Sequence, residues 1–216
     1  MKKYFGFLCA FLLIFFVAVA SQASSVSYDI TEDLSSSGFG PSSPIPYGTV
    51  TLTEDGSDVD FLVHLNNGNE FFRTGAGDRA YFLFNASGIT LNDFINPTPS
   101  NLEIENGDGS NTFGNGASGY FQYGVGVDIS GNGGGTAPYA DDIEFTITNS
   151  LITDFLGTTG EGYIFAVDMW SSLTGNTGLA AAQTGNTPSP VPEPATMFLL
   201  GSGLVGLSGL RRKFKK

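Results

Sequence analysis

A chain of 216 residues holds one or two ordinary domains. Its 21 Asp+Glu against 9 Lys+Arg give a net charge of -12, which excludes a nucleic-acid binder, because phosphate contacts need a basic surface. One His and one Cys exclude a structural zinc site, an iron–sulfur cluster and a disulfide framework.

Residues 1–23 read as a secretory signal peptide. Lys2 and Lys3 form a positive start, Phe5 to Ala20 is an almost unbroken apolar run, and small residues follow at Ala18, Ala20, Ser21 and Ala23. Cleavage is expected after Ala20 or, preferably, after Ala23. The partners implied are the Sec export machinery and signal peptidase; an uncleaved membrane anchor is the alternative. Cys9 lies inside the apolar run, so the processed chain contains no cysteine.

The body, residues 24–190, carries 20 acids and only two bases, Arg73 and Arg79, a net charge of -18. Residues 24–46, rich in Ser, Gly and Pro, are expected to be a loose polar segment. From 47 to 173, glycine clusters such as Asn67-Gly68-Asn69 and Gly131-Asn132-Gly133-Gly134-Gly135 separate short runs with a period of two. Val59, Phe61, Val63 and Leu65 alternate. So do Phe121, Tyr123, Val125, Val127 and Ile129, and Ile143, Phe145 and Ile147. Such alternation marks strands with one buried face. Further strands are predicted at Thr49–Thr53, Phe71–Thr74, Ala80–Asn85, Ile89–Leu91 and Tyr163–Met169. About eight short strands with glycine-rich turns predict an all-β domain, a single β-sandwich or jelly roll. Residues 174–190 hold the echo Thr174-Gly175-Asn176-Thr177 and Thr184-Gly185-Asn186-Thr187, and are expected to be a polar linker.

No catalytic constellation stands out in this body, and it is expected not to be an enzyme. His64 is predicted to face solvent on a strand shared with Asp60 and Leu62, and no serine carries the flanking glycines of a nucleophile elbow. The many acids offer pairs suited to glycoside hydrolysis, but spread through turns and edges they serve solubility and edge protection. Asp128-x-Ser130-x-Asn132-Gly133 has the opening of a calcium loop, yet Tyr139 stands at the twelfth position where a bidentate glutamate belongs. Asp141 or Asp142 would have to replace it, and Asp55, Asp58 and Asp60 form a second acidic cluster. These are read as ordinary turns, with weak calcium binding the alternative and no cofactor expected. Tyr120, Tyr139 and Trp170 are the candidate stacking surfaces for a sugar.

At the C-terminus, Val191-Pro192-Glu193-Pro194 precedes an uncharged run from Ala195 to Leu210 and a basic end, Arg211, Arg212, Lys213, Phe214, Lys215, Lys216. As a helix the run would reach about 24 Å, a little short of a hydrocarbon core of ~30 Å. The basic end keeps that terminus cytoplasmic and places residues 24–190 outside the inner membrane. Gly201-x-Gly203-x-x-Gly206 imitates a dinucleotide-binding fingerprint. It lacks the strand before it and the acid about 20 residues after it, so it is rejected. Prolines on both sides of Glu193 keep the motif out of helix and leave an extended backbone for an enzyme to grip.

This tripartite tail, residues 191–216, resembles the PEP-CTERM sorting signal of Gram-negative bacteria that make extracellular polysaccharide. The same element is also labelled an ice-binding protein C-terminal domain. The resemblance implies that an exosortase, a membrane-embedded cysteine transpeptidase, reads Pro192-Glu193-Pro194. The protein is then anchored transiently in the inner membrane and passed to the cell surface or extracellular matrix. An ordinary tail anchor is the alternative. The role expected for the body is structural or adhesive, beside exopolysaccharide or in a biofilm. A carbohydrate- or ligand-binding module on the same sandwich is the runner-up, and an extracellular hydrolase the third reading.

Overall fold

The computed structural model describes residues 24–35, 38–42, 45–74, 79–107, 113–115, 118–127, 138–183 and 189–190. All belong to one compact unit, Ser25–Val191, save Ser24. The signal peptide, the Asp128–Gly133 loop and the tail with Val191, Pro192, Glu193 and Pro194 lie outside the described residues.

The described residues are all-β, as the alternating runs predict, and their sheets are antiparallel. Among the described residues, one sheet has the order β15(Ser189–Pro190), β1(Ser25–Ile30), β3(Gly48–Asp55), β4(Asp58–Leu65), β12(Ile143–Ile147), β7(Phe94–Thr98). The other runs β2(Glu32–Asp33), β14(Thr177–Gln183), β13(Tyr163–Trp170), β6(Phe82–Phe84), β11(Tyr123–Val127), β8(Leu102–Asn106), with β5(Glu70–Phe71) also on β13. A hairpin of β9(Phe113–Asn115) and β10(Gly119–Phe121) stands apart from both.

Alternation dictates the first sheet. Val50 and Leu52, then Val59, Phe61, Val63 and Leu65, then Ile143, Phe145 and Ile147 all turn inward and are buried. They meet Phe82, Phe84, Phe165 and Val167 of the second sheet in one shared core. Phe61 is the hub of that core. It stacks on Phe145 at 4.6 Å and 12°, and meets Phe155 edge-on at 4.8 Å and Phe84 at 5.6 Å.

The second sheet is covered on its outer face as well. Phe113 and Phe121 of the β9–β10 hairpin pack there with Ala80, Leu83, Ala166, Leu179 and Ala181. The hairpin approaches so closely that a Cβ on Gly124 would lie 2.7 Å from the Phe113 ring.

Four expectations need correction. The segment 24–46 is not loose: it contains β1, an interior strand whose Tyr28 and Ile30 are buried, and β2. The segment 174–190 is not a spacer, because Thr177–Gln183 form β14, paired with β13 along its length, and Ser189–Pro190 form β15. Ile89–Leu91 is not a strand; a 3-10 turn, Leu91–Asp93, occupies its end. The run predicted from Phe121 to Ile129 is broken at Gln122, whose N–H donates to Asn85 Oδ1 instead of a ladder partner.

Candidate functional site

The outer face of the first sheet holds the most organised polar surface among the described residues. Register places Ser27, Thr51, Leu62, Glu144 and Thr98 in one cross-strand row, and Ser25, Thr53, Asp60 and Thr146 in the next. The row beyond holds Thr49 opposite His64, with Asp142 beside it. These positions alternate with the buried set, so the pattern that fills the core also turns these hydroxyls and carboxylates outward.

The rows are cross-linked by hydrogen bonds. Ser25 and Thr53 hydroxyls lie 3.0 Å apart, those of Ser27 and Thr51 2.7 Å apart, and Thr146 Oγ1 donates to Asp60 Oδ1 at 2.6 Å. Thr51, Thr53, Asp60, Leu62, Asn96, Glu144 and Thr146 line an open depression of about 330 Å³. Its chemistry is that of paired donors and acceptors around one aliphatic side chain, a surface suited to a polyhydroxylated ligand.

His64 lies at the edge of this face, exposed as predicted, with Nδ1 2.6 Å from Asp142 Oδ1. Both side chains are about half exposed, which makes this a solvated pair.

The acidic cluster is not gathered into one site. Asp60 accepts from Thr146, while Asp58 accepts the Asn149 N–H at 3.1 Å and so ties the β3–β4 turn to the loop after β12. Asp142 is taken up by His64. Among the described residues no three His, Cys, Asp or Glu side chains are grouped to hold a metal ion.

The three candidate stacking residues sit on different elements. Tyr120 is exposed on β10. Tyr139 bridges β5 and packs on Phe71 and Tyr81, and burial followed by the Asp141 and Asp142 charges pushes its hydroxyl pKa up. Trp170 is half-buried at the end of β13, opposite Thr177. Sequence reasoning singled out these aromatics and passed over Ser25, Ser27, Thr51, Thr53 and Glu144. The signal was present as hydroxyls at alternate positions of Gly48–Asp55, but only register shows that they align with β1, β4 and β12.

A second depression, of about 320 Å³, lies where Phe39, Tyr47, Asn69 and Ser171–Leu173 meet. Its polar groups serve the fold: Asn69 accepts from the Ser172 N–H, and Ser171 Oγ donates to the Phe39 carbonyl.

The approach to the tail is part of the fold. Ser189 lies opposite Ser27 and Pro190 opposite Val26, so the chain leaves the domain beside the start of its first strand. Residues 190–213 match the PEP-CTERM protein-sorting motif. The match spans Val191, Pro192, Glu193 and Pro194, the apolar run, and Arg211, Arg212 and Lys213 of the basic end. No curated protein and no solved structure matches the chain. The sorting motif implies export and processing by an exosortase, with the membrane as a transient station.

Proposed function

We propose that this chain is a structural or adhesive protein of the bacterial surface or extracellular matrix, working beside extracellular polysaccharide. Sec export and signal peptidase would remove residues 1–23. The apolar run and basic tail would then hold the chain in the inner membrane until an exosortase takes it at Pro192-Glu193-Pro194. The observation that carries the reading is the sorting motif, which begins at the last residue of a folded all-β domain. A body of net charge -18 suits a hydrated, soluble matrix component. Neither role calls for a cofactor. Intact-mass measurement of the mature protein tests the delivery. A mass ending near Pro192 to Pro194 supports it, with any excess reporting an attached group, and a mass that retains Lys216 overturns it.

The outer face of the first sheet favours a second reading, a carbohydrate-binding module on the same domain. Its Thr, Asp, Asn and Glu side chains offer donors and acceptors to sugar hydroxyls. Asp60→Ala combined with Glu144→Ala should then abolish retention of the chain on the producer's own polysaccharide, while Trp170→Ala leaves it unchanged. Retention that depends on Trp170 alone would move the site away from this face.

A further inference from the structure

β12 and β7 run out of step. From Glu144, opposite Thr98, to Thr146, opposite Ile95, β12 advances by two residues and β7 by three, so the edge strand carries one extra residue. Such a bulge re-aims a side chain. Here it re-aims Asn96, whose φ of 52° is left-handed, a conformation asparagine tolerates better than most residues. Strict alternation would turn the residue after Ile95 inward, yet Ile95 and Asn96 are both exposed. Asn96 thereby joins the wall of the depression on the outer face.

The polar groups of that depression are not equally available. Thr53 shares a hydrogen bond with Ser25, Thr51 shares one with Ser27, and Thr146 donates its proton to Asp60. Glu144 and Asn96 are exposed, and neither is hydrogen-bonded through its side chain to the described residues. Leu62 lies opposite Glu144 on β4, and β7 flanks β12 on its other side. An aliphatic side chain, a carboxylate and a carboxamide thus follow one another across three adjacent strands, which are spaced about 4.8 Å apart.

We infer that Glu144 and Asn96 are the groups that read the ligand on this face, and that the ligand is an uncharged sugar with neighbouring hydroxyls. This rests on the carbohydrate-binding reading above. The carboxylate accepts from one hydroxyl, the carboxamide donates to its neighbour, and Leu62 meets the C–H face of the ring. Charge selects against an anionic sugar. Neither base of the body, Arg73 or Arg79, lines the depression, and Asp60 on the adjacent strand adds a second carboxylate.

The probes are two fractions of the producer's extracellular polysaccharide, one neutral and one rich in uronic acid, separated by anion exchange. Binding of the mature protein is read as retardation in native gels that contain either fraction. The parent should be retarded by the neutral fraction alone. Asn96→Gly and Glu144→Ala should each weaken that binding by about tenfold, the loss of one charge-assisted or well-placed hydrogen bond. Thr53→Val alters the same depression at a hydroxyl already committed to Ser25, and should stay within about twofold of the parent. Glycine adopts a φ of 52° freely and Glu144 is exposed, so these variants should melt with the parent.

Parent-strength binding by either Asn96→Gly or Glu144→Ala, an equal loss in Thr53→Val, or retardation by the uronic-acid fraction overturns the inference and leaves the carbohydrate reading standing. Retardation of the parent by neither fraction would instead overturn the carbohydrate reading itself.

Discussion

Asp168 is fully buried on β13, and its carboxylate accepts the Thr74 N–H at 2.7 Å and the Thr74 hydroxyl at 2.7 Å. This buried acid ties Thr74, just beyond β5, to β13. Asp168→Ala would leave the Thr74 amide without this acceptor, and we expect a loss of about 3 kcal/mol in denaturant unfolding. A loss below about 1 kcal/mol would mean that water replaces the carboxylate. Asp93 works at the surface. Its carboxylate accepts the Thr90 N–H at 2.7 Å and the Thr90 hydroxyl at 2.8 Å, and those bonds hold its pKa below the usual carboxylate range. A lowered folded pKa contributes stability that is present above the unfolded value, about 3.9, and lost as pH falls through the folded one. Asp93→Asn should therefore flatten the acid limb of the stability–pH curve, and an unchanged limb would show that Asp93 has the same pKa folded and unfolded.

At the scale of elements, the β9–β10 hairpin depends on a gap in β11. Gly124 faces Phe113 and Ala80, where a Cβ would meet atoms at 2.7 to 2.8 Å. Gly124→Val should lift the hairpin, expose Phe113 and Phe121, and cost about 1–3 kcal/mol, the usual range for overpacking. Dye binding to newly exposed apolar surface would report the lift, and a crystal structure with the hairpin in place would refute it. The same two-sided burial explains what the sequence concealed. β3, β4 and β12 were legible because one face is wet, so polar and apolar residues alternate. β14, with Leu179-Ala180-Ala181-Ala182 buried against the core on one side and the hairpin on the other, has no wet face and hence no alternation. Its threonines and glycines, Thr174 to Gly178, looked like linker because no local signal reports the strand that will pair with them. β1 did carry the alternation, Val26, Tyr28 and Ile30 against Ser25, Ser27 and Asp29, but the Ser-, Gly- and Pro-rich composition of residues 24–46 masked it, and only register aligns Ser25 and Ser27 with the threonines of β3. The outer-face site was accordingly half legible. Asp60 and His64 could be placed on one face from β4 alone, but Glu144 and the serines join them only through long-range register.

Across the whole molecule, charge and burial act together on the tyrosines. Burial raises the pKa of Tyr28, Tyr47, Tyr123 and Tyr139, and carboxylates add to it: Asp33 at Tyr47, Asp93 at Tyr123, and Asp141 and Asp142 at Tyr139. The rings are placed where ionisation would be costly. Tyr28 meets Phe165 across the two sheets at 5.4 Å, Tyr47 packs on Phe39, and the Tyr123 hydroxyl donates to the Ile89 carbonyl. Because the folded values lie above the unfolded one, the neutral rings stabilise the domain fully below about pH 10, and that stability is lost as pH rises through the folded values. Each tyrosinate would also join a body already at -18, so self-repulsion steepens the loss. The expected outcome is an alkaline transition in which tyrosinate absorbance from these four residues appears together with loss of the β-sheet circular dichroism signal. Salt at 1 M, with a Debye length of about 3 Å, should weaken the carboxylate contribution and broaden the plateau of stability on the alkaline side. Tyrosinate formation that is complete while the sheet signal persists would show that these rings reach water in the native state, and would place the two sheets further apart than the Tyr28–Phe165 contact allows.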